Sequence, residues 1–149
     1  MQPTEYHFVI EPLVGVGPIK FGMHRDEVER AFTYVYRSFF KGPRSKVRSD
    51  QCAVVGLIIH YDEQHRVEYV EVVAPQMKVS LELLGNDITG ISVGRLLNLV
   101  RAKTSRVERC DYGYNFPDLE MSTYNSDLRS EDDKIECLGL GRRGYSAKA

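Results

Sequence analysis

The chain has no tryptophan, only three cysteines in 149 residues, and a formal net charge of -1. Each shortage closes off a class of function. A charge near zero removes any global drive towards nucleic acid or an anionic membrane surface. Cys52, Cys110 and Cys137 are too few and too far apart for a disulfide framework or a C-x-x-C pair. Such a set reads as buried thiols in a reducing compartment. No apolar run approaches the ~20 residues of a membrane span. The opening MQPTEYHFVIEPL lacks the basic start and apolar stretch of a signal peptide. These readings together predict a cytoplasmic protein.

Catalytic and cofactor motifs are also missing. GLGRRG (139–144) fits G-x-G-x-x-G, but only YSAKA follows it. That leaves no helix to hold a pyrophosphate and no acidic residue for a ribose. GVGPIKFG lacks the spacing and Lys-Ser/Thr of a P-loop. No cofactor is expected. There is no G-x-S-x-G elbow and no H-x-x-x-H, and no carboxylate pair has a fixed separation. No catalytic residue and no metal site is assigned. The nearest approach to a ligand set is HYDEQH, where His60 and His65 flank Asp62 and Glu63; it reads as a solvated hairpin tip.

What remains is an ordinary globular composition, 42 % apolar and 28 % charged, at one-domain length. YHFVI reads as a strand and EPLVGVGPIKFGM as a loop or short edge pairing. HRDEVERAF has Val28, Ala31 and Phe32 at helical spacing. TYVYRSFF either extends that helix or begins a strand, and KGPRSKVRSD reads as a loop. CAVVGLIIHY and VEYVEVVAP read as two strands of a hairpin, followed by a strand in KVSLELLG and a turn in GNDITG. SVGRLLNLVRA is a second helix, with Leu96, Leu97 and Val100 as its stripe and Ser92 as N-cap. LEMSTYN and KIECLGL bracket an acidic connection, SDLRSEDD. The fold class predicted is α+β, a single domain over 1–149, with a mainly antiparallel sheet and two helices packed on it.

The halves 6–75 and 78–145 read as pseudo-repeats of strand, helix and hairpin. GMHRDEVERAF lies on GISVGRLLNLV, pairing Gly22 with Gly90 and Val28 with Leu96. Val67 pairs with Ile135 at the same shift, and Tyr61 is laid on Tyr124.

Two stretches suggest partners. Asp127, Glu131, Asp132 and Asp133 crowd the second hairpin, an acidic patch suited to a basic protein. Tyr112 and Tyr114, in DYGYNF, are read as low-entropy aromatic anchors beside it. In the opposite sense, Arg37, Lys41, Arg44, Lys46 and Arg48 interleave with Phe39 and Phe40, the pattern of a small nucleic-acid-binding loop. The phenylalanines are expected to be core anchors and nucleic acid is the weaker reading.

GVGPIKFGMHRDEVERAF resembles a group of small bacterial cytoplasmic proteins that share G-x-G-x-I-x-[FL]-G-M-x-x-x-E-V. Many of these act as immunity partners of polymorphic or contact-dependent toxins. The matching residues are Gly15, Gly17, Ile19, Phe21, Gly22, Met23, Glu27 and Val28, and FPDLEMSTY and IECLGLGRRGY are similar to the group's closing strands. The resemblance implies a non-enzymatic protein that occludes a cognate toxin domain. It marks no catalytic residue.

Overall fold

A computed structural model describes residues 6–31, 37–73 and 79–147. Two sheets share one core. The smaller is built from β1 (Tyr6–Glu11), β2 (Gly15–Val16), β3 (Ile19–Lys20), β8 (Val79–Leu83) and β9 (Asn86–Asp87), in the order β3-β2-β1-β8-β9. The larger has eight strands. They are β4 (Arg37–Phe40), β5 (Arg48–Cys52), β6 (Leu57–Tyr61), β7 (Val67–Val73), β10 (Glu108–Cys110), β11 (Gly113–Phe116), β12 (Met121–Tyr124) and β13 (Cys137–Gly141). Their order is β10-β11-β12-β13-β7-β6-β5-β4, antiparallel throughout. The one parallel pair among the described strands is β1 with β8. The helices are α1 (Arg25–Ala31) and α2 (Val93–Arg101). This is the expected α+β class.

Alternation explains the large sheet. One face carries Leu57, Ile59, Val70, Val72, Leu138, Leu140 and Met121, all buried with Leu96, Leu97 and Val100 of α2 and Val28 of α1 in a single apolar cluster. The opposite face carries Ile58, Glu71, Ser122 and Asn115, half-buried or exposed. Period-two patterning thus leaves one face of the sheet open.

α2 matches the sequence reading: Ser92 accepts from the Arg95 amide at 3.3 Å, and the three-residue stripe is buried. In α1 only Val28 is buried. Ala31 is exposed, and Phe32 lies outside the described residues, as do Thr33 to Tyr36. The helix is started by a capping exchange, with Glu27 Oε1 accepting the His24 amide at 3.2 Å. CAVVGLIIHY is not one strand. It breaks at a turn over 53–56, where Gly56 takes φ 70°, and β5 begins at Arg48, inside the stretch read as loop.

The anchoring of the two helices recurs at one spacing. Arg25 N–H donates to His65 O and Val93 N–H to Asp133 O. Val67 N–H donates to Met23 O and Ile135 N–H to Ile91 O. Isolated bridges join His24 to Arg66 and Ser92 to Lys134. In each case the second contact follows the first at the shift that lays Gly22 on Gly90. In the central β7–β13 pair, Glu71 faces Gly139, its own counterpart at that shift. Among the described residues no helix is long and apolar enough to cross a membrane.

Candidate functional site

The acidic connection is a built loop rather than a loose turn. Asp133 Oδ2 accepts the amides of Arg129 at 2.9 Å and Ser130 at 3.1 Å. Ser126 donates twice to Glu136, through its amide and its hydroxyl. The Asn125 side-chain amide donates to Lys134 O at 2.8 Å. The loop docks on the first turn of α2, whose orphan amides need acceptors. Val93 N–H finds Asp133 O and Gly94 N–H finds Glu131 O, both at 2.8 Å. A side chain at Gly94 would meet Glu131 Cβ and O at 3.2 Å, so a glycine lets the loop sit close. Asp133 is therefore a structural acceptor, and Asp127 is partnered by Arg129 Nε at 2.8 Å. Asp127, Glu131 and Asp132 remain exposed.

The tyrosines divide. Tyr112 is 55 % exposed and tilts against Tyr124, itself 50 % exposed, with ring centroids 5.7 Å apart. Tyr114 is 7 % exposed and cannot serve as the surface anchor expected of it. Its hydroxyl receives Arg109 at 2.9 Å and donates to Glu131 at 3.5 Å, under a guanidinium 5.0 Å from the ring. It positions Glu131 instead. Alternation along β11 is the reason: Tyr114 pairs with Thr123 and faces the core, as does Phe116. The structure therefore joins the acidic loop, through Tyr114, to the β11–β12 end of the sheet that carries Tyr112 and Tyr124.

A second constellation lies on the open face and escaped the sequence reading. His60 is not at the hairpin tip with His65. It sits within β6, 6 % exposed, while His65 occupies the tip at φ 61°. Ser49 Oγ lies 2.6 Å from His60 Nδ1, and His60 Nε2 lies 2.7 Å from Glu71 Oε2. With Glu71 ionised, only an N–H on Nε2 fills the second contact. The hydrogen bond from His60 holds the Glu71 carboxyl below its usual range, against the opposing effect of burial. Ser49 is enclosed at 4 % exposure, so the chain of contacts does not present a hydroxyl for acyl transfer. What reaches the surface is the carboxylate.

The glycines of GLGRRG belong to this face. A side chain at Gly139 would stand 1.7 Å from the Tyr69 hydroxyl, and one at Gly141 would stand 2.8 Å from Tyr145 Cβ. Two glycines on one face of β13 thus make room for Tyr69 and Tyr145, stacked at 4.7 Å. Burial pushes the Tyr69 phenol up to about 12, and the Cys137 thiol beside it likewise to about 12. Two contiguous grooves, of ≈ 580 and ≈ 460 Å³, share Tyr69, Glu71, Asn115 and Ser122. The readable signal was spacing. Ser49, His60 and Glu71 follow one another at 11 residues, which three strands of a meander place side by side.

No family model, curated protein or solved structure matches the chain.

Arg142 pairs with Asp62 at 2.8 Å and Glu68 at 3.5 Å, on the first half's hairpin. Burial raises the Asp62 carboxyl, but the Arg66 amide, Arg142 and the Gln64 amide outweigh it and hold the carboxyl low. The basic loop differs from expectation. Phe40 is 51 % exposed beneath Arg48, 4.8 Å away, and Phe39 is half-buried, edge-on to His60. Asp50, 2 % exposed, anchors this edge through Arg25, Ser38 and Tyr61. Among the described residues no group of three or more His, Cys, Asp or Glu is placed to hold a metal ion.

Proposed function

We propose that this is a non-enzymatic bacterial cytoplasmic binding protein, an immunity-type inhibitor that occludes the active site of a cognate toxin domain. The observation that carries the reading is the acidic loop, held by hydrogen bonds and docked on α2, beside the exposed Tyr112–Tyr124 pair. A preformed loop loses little entropy on binding. Exposed tyrosines supply contact area and the carboxylates steer a basic partner. The contact set is Tyr112, Tyr124, Asp127, Glu131 and Asp132, with Asp133 and Tyr114 holding it in shape. The test is co-expression with the C-terminal domain of a toxin encoded beside this gene. Growth rescue and co-purification support the reading, and failure of both rejects it.

One observation favours a second reading. Phe40 lies open beneath Arg48 on the β4–β5 hairpin, which also carries Arg37, Lys41, Arg44 and Lys46. This is a stacking platform with phosphate-binding side chains. Salt-sensitive micromolar binding of single-stranded oligonucleotides would select it over the inhibitor.

We also propose that the chain arose by duplication of a strand–helix–meander unit. The support is the helix anchoring that recurs at one constant shift. His60 faces Tyr69 and Tyr124 faces Cys137, so the ladder lays Tyr124 on His60 rather than on Tyr61. The half boundaries, at 75 and 78, lie outside the described residues.

A further inference from the structure

We propose that the groove over Glu71 receives an arginine side chain of the partner protein. The inference rests on the reading of this chain as a protein-binding inhibitor.

Glu71 lies in the middle strand pair of the large sheet, where its side chain is 33 % exposed. One carboxylate oxygen is engaged by His60. The side chain lines the groove. Of the other carboxylates lining the larger groove, Glu108 lies 3.9 Å from Arg106, and Glu120 accepts the amide and hydroxyl of Ser146; Asp111 lines the adjoining groove from the exposed turn before β11. In the larger groove Glu71 is therefore the carboxylate with capacity left for an incoming cation.

Shape agrees with charge. The residues facing Tyr69 and Glu71 across the strand pair are Gly141 and Gly139, whose missing side chains let the Tyr69 and Tyr145 rings lie over β13 beside Glu71. The walls are the stacked rings of Tyr69 and Tyr145, with Ser122 and Asn115 on the far side. A planar guanidinium can stack on such a ring while donating to a carboxylate, which an ammonium does less well.

The molecule already shows the preference. Lys41, from the exposed basic loop, places its ammonium 5.9 Å from the centroid of the Tyr69 ring and helps hold Glu71 ionised. It is an internal cation resting on the site, and an arriving arginine competes with it.

The test uses the full chain, ¹⁵N-labelled, titrated with acetyl-Gly-Arg-Gly-amide and, separately, with the citrulline peptide of the same shape and no charge. The arginine peptide should shift the amides around Tyr69, Glu71, Ser122 and Gly139. The citrulline peptide should bind roughly ten-fold more weakly, as expected for the loss of one charge-assisted contact. Glu71→Gln should weaken the arginine peptide by a similar factor. Lys41→Ala should tighten it. Equal binding of the two peptides, no effect of Glu71→Gln, or weaker binding with Lys41→Ala would each overturn the proposal. Should Glu71→Gln fail to fold, shown by its circular dichroism, the peptide comparison and Lys41→Ala decide alone. Peptide binding without toxin capture sinks the inhibitor reading and leaves the groove. Toxin capture unchanged by Glu71→Gln sinks the groove and leaves the inhibitor.

Discussion

Replacing Gly139 with alanine probes the open face most sharply. The new methyl would lie 1.7 Å from the Tyr69 hydroxyl and 2.9 Å from Ser122 Oγ. Tyr69 must move, because the β13 backbone is fixed by ladders to β12 and β7. Forcing it out of this packed site costs about 1 kcal/mol, the low end of overpacking. It also disturbs the stack on Tyr145, worth about 1 kcal/mol. Removing a glycine from a strand returns roughly 0.5 kcal/mol through the unfolded chain. The net expectation is a loss of about 1.5 kcal/mol, or a fall in Tm of roughly 3–6 °C for a domain of this size. Urea unfolding at constant m is the assay. Tyr69→Phe removes the atom nearest the clash, so Gly139→Ala should cost less in that background. A change no larger than the about 0.5 kcal/mol typical of an inconsequential surface substitution would refute the assignment of these glycines to the aromatic overlay. Strict additivity with Tyr69→Phe would refute it equally.

Other expectations follow from the same geometry. Arg25→Ala leaves Asp50, 2 % exposed, without its guanidinium and should cost about 3 kcal/mol by chemical denaturation. Glu71 and Asp62 have lowered folded-state pKa values, so the unfolded chain takes up protons first as pH falls. Their contribution is complete above the unfolded carboxylate range and is lost as pH falls through the folded values; a midpoint series across roughly pH 6 to 3 should show it. The same series on Glu71→Gln should be flatter. The double change Tyr112→Ala with Tyr124→Ala removes exposed rings only. It should alter stability by less than about 1 kcal/mol while weakening partner binding at least ten-fold, read by calorimetry.

Strands and helices whose periodicity is local were legible. α2 announced itself through Leu96, Leu97, Val100 and its Ser92 cap, and β7 through its alternation. The break in CAVVGLIIHY was not, because Ala53, Val54 and Val55 are as apolar as the strands on either side. β4 was ambiguous since aromatic residues serve helix and strand alike. The acidic connection was located correctly, but its docking on α2 depends on backbone acceptors that no side-chain pattern reports. Tyr112 and Tyr114 looked equivalent in DYGYNF. Tyr112 lies in the turn before β11 and Tyr114 within the strand, which sets one ring in solvent and the other in the core. His60 and Tyr61 do close the strand run read in CAVVGLIIHY, but grouping His60 with His65 in HYDEQH missed its contacts with Ser49 and Glu71 on neighbouring strands. The open-face site needs cross-strand register, and the regular 11-residue interval between Ser49, His60 and Glu71 is its trace in the sequence.

The central claim is that this chain binds a protein partner through the acidic loop and the tyrosines beside it. The direct measurement is calorimetric titration of the proposed partner, a toxin domain encoded beside this gene, into the wild-type chain and into one carrying Asp127→Asn, Glu131→Gln, Asp132→Asn and Tyr112→Ala together. The predicted result is tight, salt-sensitive binding for the wild type and a loss of at least roughly 100-fold for the variant, about 2.7 kcal/mol. Equal affinity for the two chains, with the variant folded, would contradict it.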